Sequence, residues 1–370
     1  MAAESDDWKQ IEKLLGGAAV IDALAREHGA LKRARKVREG SQVLRLSLGY
    51  ATGHSLRTTA AWSGPGTGAA LCDVSLLGRL REAGDFLASV VQRLLARMAE
   101  TIVVPEAWQG PPVRLVDGSL FSGPGFKGMR QRLHASFDPA RQIFTAIDVT
   151  AISQGESLLH AGVEQGAIAV ADRNYAKTHV LRQLDENGSF FVLRAGMRSM
   201  RLIDPISGER LGSQEVLKAL GQGEAGELAV AMVEAKSIGK VAKPAMPARL
   251  IILKAGATAT RREQVRIEQS RRVHKATPVQ ETLDLAGVVM IITNLPAESW
   301  PIPRVAALYK LRWQIELAFK TLKSLFEMRD PPAKDPRLLR TWILANLICA
   351  LAASLLANSM RQAPFPSAHA

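Results

Sequence analysis

The chain has 370 residues, 47% of them hydrophobic, and a formal net charge of +13. That length holds two or three domains, the apolar share supports a sizeable core, and the charge favours a polyanionic partner, nucleic acid ahead of an anionic membrane surface. Two cysteines far apart, Cys72 and Cys349, exclude a disulfide framework and a cysteine-built zinc site and fit a reducing cytoplasm, while the acidic N-terminus lacks the apolar core of a signal peptide.

Residues 1–107 read as an all-helical domain. Helices are predicted over 8–24, 41–50, 55–62, 73–83 and 85–100, with Ser55 as an N-cap. Gly53-His54 separates the second from the third, and 63–69, SGPGTGA, reads as a loop. After the first helix come Lys32, Arg33, Arg35, Lys36 and Arg38. Such a run is either a solvated face or a set of phosphate contacts. The short helices form either a plain bundle or a helix-turn-helix in which 73–83, with Arg79 and Arg81, reads DNA.

The segment 108–112, WQGPP, marks a boundary, and the pattern then turns to strands. Strands are predicted over 113–116, 130–137, 142–149, 167–171 and 190–193, with helices over 156–164 and 175–184. The order β-β-β-α-β-α-β implies an α/β fold, a mixed sheet flanked by helices over 108–194. Asp117 and Asp172 each follow an apolar strand, where α/β proteins tend to build sites. Singly, a strand-end aspartate is more often a turn or cap residue, and Asp148 on the third strand is a rival. Residues 195–296 look like a β-rich insertion with apolar runs over 227–234, 248–254 and 287–293. Within it, 261–275 is a basic helix, again either a solvated face or a nucleic-acid surface.

Residues 297–370 return to helices. The stretch 308–326 reads as one helix with no internal Gly or Pro, its apolar residues on one arc and Tyr309, Arg312, Glu316 and Lys323 beside that arc. Arg312 and Glu316 are either an ordinary i,i+4 pair or a phosphate-binding cation beside a metal-binding carboxylate. The charge-free run 341–357 is expected to be a buried core helix rather than a membrane span. Trp300 and Trp313 either pack in the core or stack on an unpaired base.

Two strand-end carboxylates closed by a third from a helix suit a pair of Mg²⁺ ions, which take oxygen ligands and leave positions open for phosphate and water. At this point the chain resembles the DDE transposases of the fourth bacterial insertion-sequence family. Tyr309, Arg312, Glu316 and Lys323 match that family's Y-x-x-R-x-x-x-E-x-x-x-x-x-x-K signature at every spacing, and VDGS around Asp117 and ADRNY around Asp172 are similar to its two Asp motifs. The resemblance implies a ribonuclease-H-like core interrupted by the insertion, with Asp117, Asp172 and Glu316 as catalytic, metal-binding residues for Mg²⁺ or Mn²⁺, two ions in all. It further implies that Tyr309, Arg312 and Lys323 hold the DNA backbone. The expected function is cut-and-paste transposition of an insertion sequence. Its partners are double-stranded DNA, both terminal inverted repeats and target, and a second copy of the chain in a homodimeric synaptic complex, in the cytoplasm at the nucleoid and without a membrane. A DNA-binding relative that no longer catalyses and acts as an inhibitor is the alternative.

Overall fold

The structure, a computed structural model, describes every residue except 1, 34, 53–54, 103–109, 126–129, 198, 235–243, 275–283, 326–327, 329–330 and 363–370. The predicted break at Gly53-His54, Trp108 of the domain boundary, Lys275 of the basic helix and Phe326 of the apolar arc lie outside the described residues. The chain divides into two compact units, one of Met1–Trp108, Gly118–Gly155 and Glu316–Ala370, the other of Gln109–Asp117 and Glu156–Ile315.

The first unit opens with helices α1 (Ala2–Leu14), α2 (Ala18–Glu27), α3 (Gly40–Ala51), α4 (Leu56–Thr67), α5 (Asp73–Glu82) and α6 (Gly84–Thr101). The predicted helix 8–24 is thus two helices. Gly16 and Gly17, at φ 91° and 97°, take a conformation that ends a right-handed helix. Ser55 caps α4 as expected, accepting from the Thr58 backbone N–H at 3.1 Å. The stretch SGPGTGA, however, extends α4 rather than looping. Pro65 removes one backbone donor, while the Ser63 and Thr67 hydroxyls donate to Ala60 O and Ser63 O, both at 2.7 Å.

Strands β2 (Arg130–Asp138) and β3 (Ile143–Ala151) pair antiparallel. Beside them runs the second half of β1 (Val113–Ser122), giving the order β3-β2-β1 in this unit. The strand predicted to stop at Asp117 therefore continues through it. The unit closes with α11 (Trp313–Leu325), from Glu316 onward, and α12 (Pro336–Gln362). A helix apolar on all sides must be enclosed, and α12 packs against α3, α5, α6, β2 and β3. It is the one described helix long and apolar enough to cross a membrane, and 78% of its apolar window, of mean hydropathy 1.7, is buried.

The second unit holds the first half of β1 with β4 (Ile168–Ala171), β5 (Phe190–Arg194), β6 (Arg201–Ile203), β7 (Ala225–Val233), β8 (Met246–Lys254) and β9 (Val288–Thr293), ordered β1-β4-β5-β9-β8-β7-β6. β1, β4 and β5 are parallel, and every later pairing is antiparallel. Residues 195–296 thus extend this sheet beyond β5. Helices α7 (Thr178–Glu186), α8 (Ser213–Leu220), α9 (Ala257–His274) and α10 (Ile302–Lys310) accompany it. Its core gathers Phe191, Leu193, Leu250, Ile252 and Ile292 from the strands with Leu181 and Leu184 from α7. The helix predicted over 156–164 reduces to a 3-10 turn at Leu158–His160, because Gly155 and Gly162, at φ 67° and 56°, bracket too short a run.

The predicted single helix 308–326 is also two, α10 and α11. Leu311 and Arg312 donate their N–H groups to Leu308 O and Tyr309 O, both at 3.1 Å, and Gln314 donates to Leu311 O at 2.8 Å. These i→i−3 bonds tighten the chain into a turn between the two helices.

Candidate functional site

Three parallel strands of the second unit carry charged residues side by side, partway along β1, just past β4 and at the end of β5. Val116 pairs with Ala171, and Ala171 with Leu193. The next residue on each strand is Asp117, Asp172 and Arg194. Neighbouring strands lie about 4.8 Å apart, so the two aspartates occupy adjacent register positions. Both are partly exposed. Asp172 also starts a 3-10 turn, its carbonyl accepting from the Tyr175 N–H at 3.1 Å.

Tyr309, in the last turn of α10, joins this group. Burial raises its phenol pKa above the ordinary value; the Asp172 carboxylate pushes the same way, while the charges of Arg312 and Arg194 and a hydrogen bond donated by Arg312 oppose. Arg312, Asp172 and Arg194 therefore all act on the Tyr309 phenol. Arg194 was not singled out from the sequence, although the strand-end rule that marks the two aspartates marks it as well. It also lines a cavity of about 260 Å³ with Arg173, Arg266, Met197 and Met290, where cations meet an apolar floor.

In the first unit, Glu316 lies in the first turn of α11, where the helix dipole favours a carboxylate. Phe319, one turn later, stacks on Phe144 of β3 at 5.8 Å between ring centroids. Lys323 donates to Leu120 O at 3.3 Å and its ammonium stands 4.5 Å from the centre of the Phe121 ring. α11 is thereby fixed on β3 and on the second half of β1. Burial lowers the Lys323 pKa. Asp148, the rival, faces His134 across β2 and β3, and that imidazole bonds the Thr150 hydroxyl at 2.9 Å.

Among the described residues no group of three or more His, Cys, Asp or Glu side chains stands ready to hold a metal ion. Mg²⁺ usually takes one or two carboxylates together with waters and substrate phosphate oxygens. Asp117 and Asp172 supply that number of carboxylates from neighbouring strands.

The other candidate surfaces separate clearly. Lys32, Arg33, Arg35, Lys36 and Arg38 are exposed on a loop pinned by buried Leu31 and Val37. Arg79, expected on a reading helix, donates to Ala30 O and Arg33 O at the base of that loop, and Arg81 pairs with Asp335 at 2.8 Å. On α9, Arg261, Arg262 and Arg266 are exposed, with Arg266 paired to Glu263 at 2.5 Å. Trp300 is buried under the Arg304 guanidinium, 4.0 Å from its ring centre, whereas Trp313 is 58% exposed.

Comparison with known proteins adds an independent finding. A family model described as a transposase DDE domain matches residues 108–352. The chain is 35% identical over 347 residues to the putative transposase InsL of insertion sequence element IS186A from Escherichia coli strain K12, covering 93% of this chain and 92% of that protein. It is 35% identical over 348 residues to the transposase of insertion sequence element IS421 from Escherichia coli, with the same coverage. The transposase of IS231E from Bacillus thuringiensis subsp. finitimus is 27% identical over 219 residues, 55% of this chain and 44% of that protein.

Proposed function

The chain belongs to the DDE-domain transposase family, and from that membership we propose that it binds the ends of an insertion sequence and moves it by cleavage and strand transfer. The observation that supports the reading is the pair of aspartates on neighbouring parallel strands, Asp117 and Asp172, with the Asp172 and Arg312 charges both acting on the Tyr309 phenol. Asp117, Asp172 and Glu316 would each serve as a ligand of Mg²⁺ or Mn²⁺, two ions in the working complex. Bound there, the ions supply Lewis-acid stabilisation of the attacking and leaving oxygens. The core is ribonuclease-H-like, residues 195–296 are its insertion, and the four residues Tyr309, Arg312, Glu316 and Lys323 are the signature of the fourth insertion-sequence family.

The protein's own side chains do the positioning. Arg312 grips a backbone phosphate through two parallel hydrogen bonds. Tyr309, its phenol held protonated by burial, donates a third. Lys323 adds a point charge, and Arg194, at the end of the next strand, adds another. With the phosphate fixed, water attacks in line and the 3′-oxygen leaves as a hydroxyl. That 3′-OH next attacks a phosphodiester of the second strand or target DNA, whose own 3′-oxygen is displaced and protonated to a new 3′-hydroxyl, and the same residues hold the phosphate under attack. The helical residues 1–107 hold the inverted repeats, and two copies of the chain pair the two ends in the cytoplasm at the nucleoid.

The test is cleavage of a duplex ending in the inverted repeat that flanks the gene, in Mg²⁺. Wild-type protein is expected to nick it, and Asp172→Asn and Glu316→Gln to lose at least about 100-fold in rate. Full activity in Glu316→Gln would take that residue out of the mechanism. A wild-type chain that binds but never nicks would be a DNA-binding inhibitor instead.

A further inference from the structure

The segment that launches α10 is held by one arginine from β8. Arg249 grips Glu227 of β7 with a two-pronged bond, Nε to Oε1 at 2.7 Å and Nη2 to Oε2 at 2.8 Å. Its remaining terminal nitrogen, Nη1, donates to Leu295 O at 2.7 Å and to Trp300 O at 3.0 Å. The Arg249 side chain is only 14% exposed. Four of its five N–H groups are thus spent, two on a carboxylate that neutralises it and two on the backbone of one short strap.

That strap is the whole connection between β9 and α10. At its start Asn294 accepts from the Phe191 N–H at 2.9 Å and donates to Ser189 O at 3.1 Å. At its end the Trp300 N–H donates to Pro296 O at 3.0 Å, and Pro301 begins the helix. Tyr309 lies seven residues into α10, about 10 Å along the axis, and Arg312 follows in the turn beyond. Any tilt where the helix starts is carried to both side chains. A carboxylate and two carbonyls thus converge on one nearly buried guanidinium, and the strap is tied to β7 and β8 as well as by its own backbone.

We propose that Arg249 is a positioning residue for the transposition reaction: by fixing Leu295 and Trp300 it sets where Tyr309 and Arg312 meet the DNA backbone. This rests on the reading of Tyr309 and Arg312 as phosphate contacts. On it, the β-rich segment serves the chemistry by holding the helix that follows it.

The experiment is a double-mutant cycle in single-turnover cleavage of the inverted-repeat duplex with protein in excess. Arg249→Met is expected to slow cleavage about 10- to 100-fold. The Kd for the duplex should move by less than about threefold, because most contacts to DNA lie elsewhere. In a Tyr309→Phe/Arg312→Ala background, adding Arg249→Met should slow the reaction no further, since the groups it positions are already gone. Arg249→Lys keeps a cation but cannot span both prongs and both carbonyls, so an intermediate rate is expected. If Arg249→Met fails to fold, Glu227→Gln loosens the grip while keeping the arginine, and the same cycle is read on it. Multiplying losses in the combined variant would show that Arg249 acts elsewhere and would overturn the proposal. So would an unchanged rate in the Arg249 variant when the Tyr309→Phe/Arg312→Ala protein is slow. Full speed in Tyr309→Phe/Arg312→Ala would instead remove the phosphate-contact reading itself.

Discussion

Burial pushes the Tyr50 phenol up to about 12 and the Cys349 thiol up to about 11, from ordinary values of 10.0 and 9.0. Both groups are neutral when folded and ionise first when unfolded. Their contribution is therefore whole below pH 9.0 and lost as pH climbs to about 12, each worth about 2–3 kcal/mol. The thermal midpoint is expected to fall steeply over that window. In Tyr50→Phe/Cys349→Ala the fall should be shallower, and an unchanged slope would show that neither group matters. Single residues also show what a linear reading can reach. Asp117 and Asp172 are visible because an apolar run stops and a carboxylate follows. Arg194 obeys the same rule but is invisible to a search for metal ligands. The contacts of Lys323 with Leu120 O and Phe121 join positions some two hundred residues apart, which no local pattern encodes.

Apolar runs located the larger strands well, because a buried strand must be apolar along its length. The helix around Glu316 carries no such boundary signal. Leu308, Ile315, Phe319 and Leu322 are all buried at helical spacing, so the periodicity passes through the turn at Leu311–Arg312 without a signal. No Gly or Pro announces that turn, which shows only in its i→i−3 hydrogen bonds. A tighter constraint sits where α8 meets β7. A Cβ on Gly226 would lie 2.2 Å from Ala219 O, a backbone atom that cannot step aside. Gly226→Ala is expected to cost about 1–3 kcal/mol in urea unfolding. No change in midpoint would mean that α8 sits farther from the strand than this contact implies.

The net charge of +13 is a property of the whole molecule, but its accessible share is unevenly placed. Arg33, Arg35 and Lys36 stand exposed on a loop held from below by Leu31, Val37 and Arg79. If that loop contacts phosphates, Arg33→Gln/Arg35→Gln/Lys36→Gln weakens binding of any duplex and lowers the slope of log K against log salt by about 3. An unchanged slope would return the loop to a solvated face. The packing of α12 has another bearing. It fills the space between helices made at the other end of the polypeptide, α3, α5 and α6. A ribosome adding about 5–20 residues per second finishes those helices roughly ten to fifty seconds before α12 emerges. Until then their apolar faces have no permanent cover, so the N-terminal helices of a nascent or prematurely terminated chain cannot complete their core. A segment translated late thus completes the packing of helices translated early, and α3, α5 and α6 are enclosed only once α12 has been made.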